Sequence, residues 1–178
     1  MNLLAMSPTW LLWILMALLA AAALQDAVQL KISNIVTGLV LGLAVVAMVV
    51  VGPAVSLWQN LAVFLVILAI GTMLFSRGVL GGGDVKLFAA AALWTDLPGS
   101  FRLIFAICLA GGLLALLIMF LRVVVPARAR ARVKTLQKGA GIPYGIAIAV
   151  GTLAVVATSQ LSPRAETYDP DIPSVGRR

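Results

Sequence analysis

The 178-residue sequence contains no histidine and only one cysteine, Cys108. Nucleophile pairs that use histidine as the base, HExxH zinc sites and cysteine-rich metal modules are therefore excluded, and we expect no metal ion and no cofactor. Charge is also scarce, because 11% of the residues are charged while 62% are hydrophobic. Such a chain has too little polar surface to cover a soluble globule, so the composition predicts an integral membrane protein.

Apolar runs recur along the chain at lengths that suit membrane-crossing helices rather than the short alternating strands of an outer-membrane barrel. The expected fold is all-α, a polytopic membrane protein with about six transmembrane helices. The expected spans are Thr9–Leu24, Ile35–Val51, Leu57–Phe75, Val85–Leu97, Phe101–Val125 and Ile142–Ser159. Residues 1–160 would form one transmembrane domain, and the polar residues 161–178 a solvated tail. No Lys or Arg precedes Lys31, so the first run is predicted to be a retained helix rather than a secretory signal.

The basic residues predict the orientation in the membrane. With both termini outside, the inner loops hold Lys31, Arg77, Lys86, Arg122, Arg128, Arg130, Arg132, Lys134 and Lys138. The outer side then holds only Arg102, Arg164, Arg177 and Arg178. Trp10, Trp58 and Trp94 fall near the predicted outer ends, where amphipathic rings favour the headgroup level. The basic loop at 122–138 has no interleaved aromatic residues, so we interpret it as a topology signal that contacts anionic lipid headgroups rather than nucleic acid.

The sequence has six acidic residues, and the predicted topology places only two of them on the inner side. Asp26 ends the first helix and Asp84 begins the fourth, while Asp96, Glu166, Asp169 and Asp171 lie outside. Two complete spans separate Asp26 from Asp84, so both return to the same leaflet. The two carboxylates can therefore be neighbours in space.

Each of these acids also has an ordinary structural interpretation. Asp84 could cap the fourth helix, and Asp26 could be a polar helix end that pairs with Lys31. Together they favour a functional site, because acids near membrane depth are costly and usually functional. Residues 81–83 add three glycines, which allow another chain to approach closely. The fourth helix has only about 14 residues before Pro98, roughly 21 Å, which is shorter than a bilayer core.

Two neighbouring carboxylates in a partly desolvated site can hydrolyse a peptide bond. Like charges at close range share a proton, so the ionised member takes a proton from water while the neutral member donates one to the carbonyl oxygen. A Ser–Lys pair using Lys86 or Lys31 is the alternative nucleophile, but leader peptidases of that type act on the outer face and these lysines are predicted to face inward.

Three stretches of this sequence resemble the type IV prepilin peptidases, specifically the short Flp/Tad-type form. They are "KISN" downstream of Asp26, "GGGDVKLFAAAALW", and "KGAGIPYGIAIAVG" before the last helix. The resemblance extends from Asp26 to Gly151. Its most specific part is a GxGDxK pattern formed by Gly81, Gly83, Asp84 and Lys86. Presenilin-like proteases share GxGD, but they also carry a late PAL motif, which this sequence lacks.

The resemblance implies an aspartic peptidase of the bacterial inner membrane that removes the short basic leader from prepilins or pseudopilins on the cytoplasmic side. Asp26 and Asp84 would be its catalytic pair. Residues that would bind substrate or support the site are Lys31, Asn34, Gly81, Gly82, Gly83, Lys86, Pro143, Tyr144 and Gly145. Larger members have a cysteine-containing insertion and methylate the trimmed pilin. This chain has neither those cysteines nor a loop long enough for the insertion, so methyl transfer is not expected.

The supporting residues have structural interpretations as well. Lys86 could be an interfacial lysine with its charge in the headgroups, and Pro143 suits the first turn of the last helix. Gly141, Gly145 and Ala149 recur every fourth residue, the spacing of closely packed membrane helices. Asn34 is a plausible cap for the second helix, where many relatives have Pro at the position of Ser33.

Two functions from other classes remain open. Paired intramembrane acids beside a glycine-broken helix also describe a proton-coupled transporter, although the halves show no inverted repeat and both acids fall at an edge of the membrane. A structural subunit of a pilus or secretion machine would need neither aspartate. Cleavage of a leader-bearing precursor separates both from a peptidase.

Overall fold

The structure is a computed structural model that describes residues 2–52, 56–126, 135, 137 and 141–161. The expected polar tail, apart from its first residue Leu161, and most of the basic loop at 122–138 lie outside these residues. Seven helices occur in the described part: α1 (Leu3–Met6), α2 (Thr9–Gln29), α3 (Asn34–Val51), α4 (Leu57–Ser76), α5 (Gly82–Ala92), α6 (Leu97–Val124) and α7 (Tyr144–Leu161). The described residues contain no strand, and the all-α prediction is confirmed.

Four helices, α2, α3, α4 and α6, are long and apolar enough to cross a membrane, and α7 is a shorter apolar helix. The protein is therefore a polytopic helical membrane protein. The expected fourth span at Val85–Leu97 is instead α5, which has 11 residues. At 1.5 Å per residue α5 is about 16 Å long, too short to cross a bilayer core. It ends early because the chain turns at residues 93–95, where Thr95 Oγ1 donates to the carbonyl of Ala92 at 2.9 Å.

Helix α6 begins four residues before the expected Phe101. Asp96 caps it, because the Asp96 carboxylate accepts a hydrogen bond from Gly99 N–H at 2.9 Å. Pro98 lies in the first turn, where its missing N–H costs nothing. A start at Leu97 lengthens α6 to 28 residues.

Small residues let the helices approach one another closely. A Cβ at Gly151 of α7 would lie 2.7 Å from the backbone nitrogen of Ile107 in α6. A Cβ at Gly71 of α4 would lie 2.6 Å from a methyl group of Val85 in α5. These glycines bring α6 onto α7 and α4 onto α5, and α7 also packs against α2.

Large apolar side chains project outward along the long helices, as a lipid-facing surface requires. Trp10 and Trp58 are among them, with 51% and 63% of their surface exposed. The interpretation of Trp94 as an interfacial residue is wrong, because Trp94 is completely buried and its indole N–H donates to the carbonyl of Val40 at 3.3 Å. The cause is the shortness of α5, which ends inside the bundle with Trp94 covered by the N-terminal residues.

The bundle has two ends with different contents. The acid end consists of the last turns of α2, α4 and α6 together with the first turns of α3, α5 and α7. The capped end consists of the opposite helix termini and the short helix α1, which packs on α3 and α7. Both Asp26 and Asp84 belong to the acid end.

Candidate active site

A cavity of about 500 Å³, which we name the acid cavity, opens at the acid end. Its walls come from four helix termini and the loop between α4 and α5. The lining residues are Asp26, Leu30, Gly78, Val79, Leu80, Gly81, Asp84, Arg122, Gly141, Ile142 and Tyr144. The fold thus places Asp26 and Asp84 in one cavity, as the count of spans between them predicts.

Asp26 lies in the last turns of α2 and is 4% exposed. Its Oδ2 accepts a hydrogen bond from Gly145 N–H at 2.6 Å. Gly145 is in the first turn of α7, where backbone N–H groups have no partner within the helix and the helix dipole favours a negative charge. The C-terminal end of α2 disfavours an anion, so the start of α7 supplies the stabilisation that the helix of Asp26 cannot.

Asp84 lies in the first turn of α5, which Gly81 precedes as the N-cap residue. The Asp84 carboxylate accepts a hydrogen bond from Gly81 N–H, so the capping interpretation is partly correct. A Cβ at Gly81 would lie 2.6 Å from Asp84 Oδ2, so this approach needs glycine. The other oxygen, Oδ1, is buried and has no hydrogen-bond partner among the described residues. The hydrogen-bonding capacity of this oxygen is therefore not used by any described residue.

Asp84 lies outside the four long spans, and its surroundings change its acidity. The pKa of Asp84 is raised to about 6, mainly because burial disfavours the charged form and also because of the negative charge of Asp26, while the hydrogen bond from Gly81 acts in the opposite direction. The two carboxyl groups therefore influence each other electrostatically across the cavity. Such a pair titrates as a unit.

The glycines at positions 83 and 145 accommodate the same residue, Ile32. A Cβ at Gly83 would lie 3.1 Å from Ile32 Cβ, and a Cβ at Gly145 would lie 2.8 Å from Ile32 Cδ1 and 2.9 Å from Asp26 Cβ. Ile32 therefore fits between the helix of Asp84, α5, and the helix whose first turn donates to Asp26, α7. Ile32 was not predicted as a site residue, and the signal that could have indicated it was an apolar residue between polar ones in the stretch "QLKISN".

Lys86 and Asn34 lie together, but outside the acid cavity. Lys86 Nζ donates to Asn34 Oδ1 at 3.0 Å, which links α5 to α3 at a separate groove. Ser33, rather than Asn34, caps α3, since Ser33 Oγ accepts from Ile35 N–H at 3.1 Å. Asn34 is the first helical residue, which leaves its side chain available to Lys86.

Of the remaining residues predicted for the site, one lines the cavity, others lie beside its walls, and one lies outside it. Tyr144 lines the acid cavity, and α7 begins at Tyr144, directly after the buried Pro143. A Cβ at Gly82 would make ordinary contact with the Phe75 ring, at 3.4 Å. Lys31 is exposed and is not among the lining residues, so the structure does not bring it into the cavity.

Arg122 is a cavity residue that the sequence analysis treated only as part of the basic loop. It lies in the last turn of α6, and its Nη2 donates to the carbonyl of Thr135 at 2.8 Å. A basic residue in a last turn is typical of helix termini, so no sequence signal indicated that Arg122 lines the same cavity as the two carboxylates. Within the described residues, no group of three or more His, Cys, Asp or Glu side chains forms a candidate metal site.

The comparisons with known proteins agree with the motif resemblance. A sequence model of the type IV leader peptidase family matches residues 13–116, more than half of the chain, and this stretch includes both Asp26 and Asp84. No curated protein and no solved structure matches the chain. The matched region ends within α6, so the places of Arg122, Tyr144 and Gly145 in the site follow from the structure alone.

Proposed function

Because the chain belongs to the type IV leader peptidase family, we propose that it is an aspartic endopeptidase that removes the leader peptide from Flp-type prepilins or pseudopilins. The observation that carries the proposal is that Asp26 and Asp84 line one cavity, with Asp84 Oδ1 buried and unpartnered among the described residues. The sequence between the helices has no loop long enough for the cysteine-containing insertion, which favours the short Flp/Tad-type form.

The reaction uses one proton shared by the two carboxyl groups. The ionised carboxylate takes a proton from water as the water oxygen bonds to the scissile carbonyl carbon, and the neutral carboxylic acid donates its proton to the carbonyl oxygen. As the tetrahedral intermediate collapses, one of its hydroxyl groups gives a proton to the ionised carboxylate, the C–N bond breaks, and the leaving nitrogen takes a proton from the neutral carboxylic acid. The products are a carboxyl group on the leader and a new amino terminus on the pilin. The pair again holds one proton.

The backbone groups around the pair favour this chemistry. Gly145 N–H stabilises negative charge on Asp26, while burial of Asp84 favours retention of a proton. The cavity is large enough for an extended peptide segment together with the attacking water. Arg122 and Tyr144 on its wall offer hydrogen-bond donors to the peptide backbone.

The charges at the acid end support a cytoplasmic position for it. Lys31, Arg77, Lys86 and Arg122 all belong to this end, and an excess of Lys and Arg favours the cytoplasmic side. We propose that the membrane is a bacterial inner membrane, as the resemblance to the prepilin peptidases implies. Both termini would then be outside. A leader exposed in the cytoplasm would reach Asp26 and Asp84 without crossing the membrane.

Thiol labelling in whole cells tests this orientation. In a Cys108→Ser background, Ser76→Cys at the end of α4 should react with an impermeant reagent only after permeabilisation, whereas Ser174→Cys in the polar tail should react in intact cells. Ser76 is a better site than the neighbouring Gly78, whose φ of 72° would strain a cysteine. Labelling of Ser76→Cys from outside would remove the cytoplasmic assignment.

The activity itself is tested with the purified protein in detergent and an Flp-type precursor carrying its leader. The proposal predicts a shortened product whose new amino terminus, read by mass spectrometry, follows the leader. A precursor that stays intact with a well-folded enzyme would contradict the proposal and favour a transporter or a structural subunit.

A further inference from the structure

A second cavity, of about 380 Å³, adjoins the acid cavity. The two share Leu80, Asp84 and Tyr144, so Asp84 belongs to both. Apart from these shared residues, the second cavity is lined by apolar side chains and small residues of α4, α5, α6 and α7, whereas the acid cavity also has Arg122 and Asp26 in its walls. We name the second one the apolar cavity.

The apolar cavity extends away from the bundle end. Phe88 lies one turn beyond Asp84 on α5, and Ile148 lies one turn beyond Tyr144 on α7. Gly112 lies ten residues before Arg122 on α6, a separation of about 15 Å along the helix axis. From Asp84, the acid cavity therefore leads toward the end of the bundle, and the apolar cavity leads toward the interior of the membrane.

We propose that the apolar cavity binds the side chain of the first residue after the cleaved bond, and that Gly112 sets the size of the side chain accepted. This inference rests on the proposed peptidase function. A leader removed at the cytoplasmic face lies in the acid cavity, so the retained chain leaves Asp84 in the opposite direction. The surface that meets it there is apolar, which selects an apolar side chain.

Gly112 is suited to this role because nothing lies within 4 Å of the Cβ that a side chain would add there. The glycine is therefore not required for helix packing, unlike Gly151, whose Cβ would meet the backbone of Ile107 at 2.7 Å. Gly112 is exposed and lines the apolar cavity, so a leucine there can be accommodated by the fold and should occupy part of the cavity. Ala115, nearly one turn further along α6, lines the same cavity and offers a second position for the same test.

The kinetic test uses precursors that differ only in the first residue after the cleaved bond, which is phenylalanine or alanine. We expect Gly112→Leu or Ala115→Leu to lower kcat/KM for phenylalanine relative to alanine by about tenfold or more, the scale on which apolar pockets discriminate size. The control is Gly42→Leu on α3, whose added Cβ also meets nothing within 4 Å and which does not line either cavity. An unchanged ratio in both cavity variants would overturn the inference, while cleavage by the wild type would still support the peptidase.

A binding test separates the inference from the proposed activity. A precursor peptide with a benzophenone side chain at the same position is irradiated with the full-length Asp84→Asn protein, and the adduct is mapped by mass spectrometry. We expect adducts on α6 between Ile107 and Ala115. Adducts only on acid-cavity residues or on the outer surface of α3, or a copurified lipid that keeps the peptide out of the apolar cavity, would overturn the inference whether or not the wild type cleaves the precursor.

Discussion

Asp84 and Asp96 stand near the starts of helices at opposite ends of the same bundle, and they do different things. Asp96 is the N-cap residue of α6, and its carboxylate accepts from Gly99 N–H at 2.9 Å. Asp84 lies inside the first turn of α5, beside a second buried carboxylate and an open cavity. The comparison shows that an aspartate at a helix N-terminus is a cap by default. A facing acid and space for a ligand make it a candidate for chemistry.

The two ends of the bundle also differ, because one is closed by buried side chains and hydrogen bonds and the other contains a cavity. At the capped end, Leu3 and Leu4 of α1 are fully buried, and Gln160 Nε2 donates to the carbonyl of Leu4 at 2.6 Å. The buried Asn60 likewise donates to the carbonyl of Leu93 at 3.0 Å. At the capped end, hydrogen bonds from side chains to backbone carbonyls therefore close the fold. At the acid end, the helix termini surround a cavity.

Amide substitutions should have the largest effect, and they should distinguish the two aspartates of the acid end from Asp96 at the capped end. Asp26→Asn and Asp84→Asn should each slow cleavage by about 10²-fold to 10⁴-fold, because an amide neither accepts the proton of water nor supplies one as a carboxylic acid. Asp96→Asn is the matched control and should retain activity, since Asn caps helices as well as Asp does. The measurement is the initial rate of precursor cleavage at equal amounts of folded protein. A nearly normal rate for either acid-end variant would mean that its carboxyl group is not catalytic.

A single methyl group added at Gly145 should lower activity at the acid end by displacing Asp26. Gly145→Ala places a Cβ 2.8 Å from Ile32 Cδ1 and 2.9 Å from Asp26 Oδ2, so the hydrogen bond between Gly145 and Asp26 must be displaced. We expect a loss of about 10²-fold in kcat/KM, the scale on which misplacement by about 1 Å acts.

The control for this variant is Gly38→Ala on α3, where nothing lies within 4 Å of the added Cβ. Its rate should match the wild type. Circular dichroism and gel filtration establish that both proteins are folded. An unimpaired Gly145→Ala enzyme would show that the position of Asp26 at the start of α7 does not matter for activity.

The pH dependence gives a smaller and graded effect. The pKa of Asp84 is raised to about 6 by burial and by the charge of Asp26, so the shared proton is retained up to about that pH and is lost above it. Above pH 6, kcat/KM should therefore fall, with a limiting slope of about tenfold per pH unit. At lower pH a second proton removes the carboxylate base, which gives a bell-shaped profile. A rate that rises steadily from pH 6 to pH 9 would be incompatible with a carboxylic acid as the proton donor.

The sequence was sufficient to predict the long apolar helices and the meeting of the two acids, but not α1 or the shortness of α5. Spans are readable because each must supply a long apolar run, and their alternating direction places Asp26 and Asp84 at the same end. The GGGD stretch also indicated a close approach at Gly83. The approaching group was not predictable, because the contact between Ile32 and Gly83 depends on how the loop after α2 folds back over α5.

Trp94 was predicted wrongly and the cavity position of Arg122 was not predicted, because the local sequence does not show which parts of the fold surround a residue. Amphipathic position along a helix does not reveal depth in the bundle, so Trp94 looked interfacial although it is buried. Helix-end chemistry does not reveal what lies across a cavity, so Arg122 looked like an ordinary basic terminus. Asn34 and Ser33 are both good caps, and the contact of Asn34 with Lys86, which is distant in sequence, could not be predicted.

The central claim is that Asp26 and Asp84 act as one catalytic pair. A double-mutant cycle tests this most directly, with cleavage rates measured for Asp26→Asn, Asp84→Asn and the double variant under the same conditions. A pair that has lost one carboxyl group has lost its acid–base function, so the double variant should be about as slow as either single variant. A double variant whose loss equals the product of the two single losses would contradict the account, because the two carboxyl groups would then act independently.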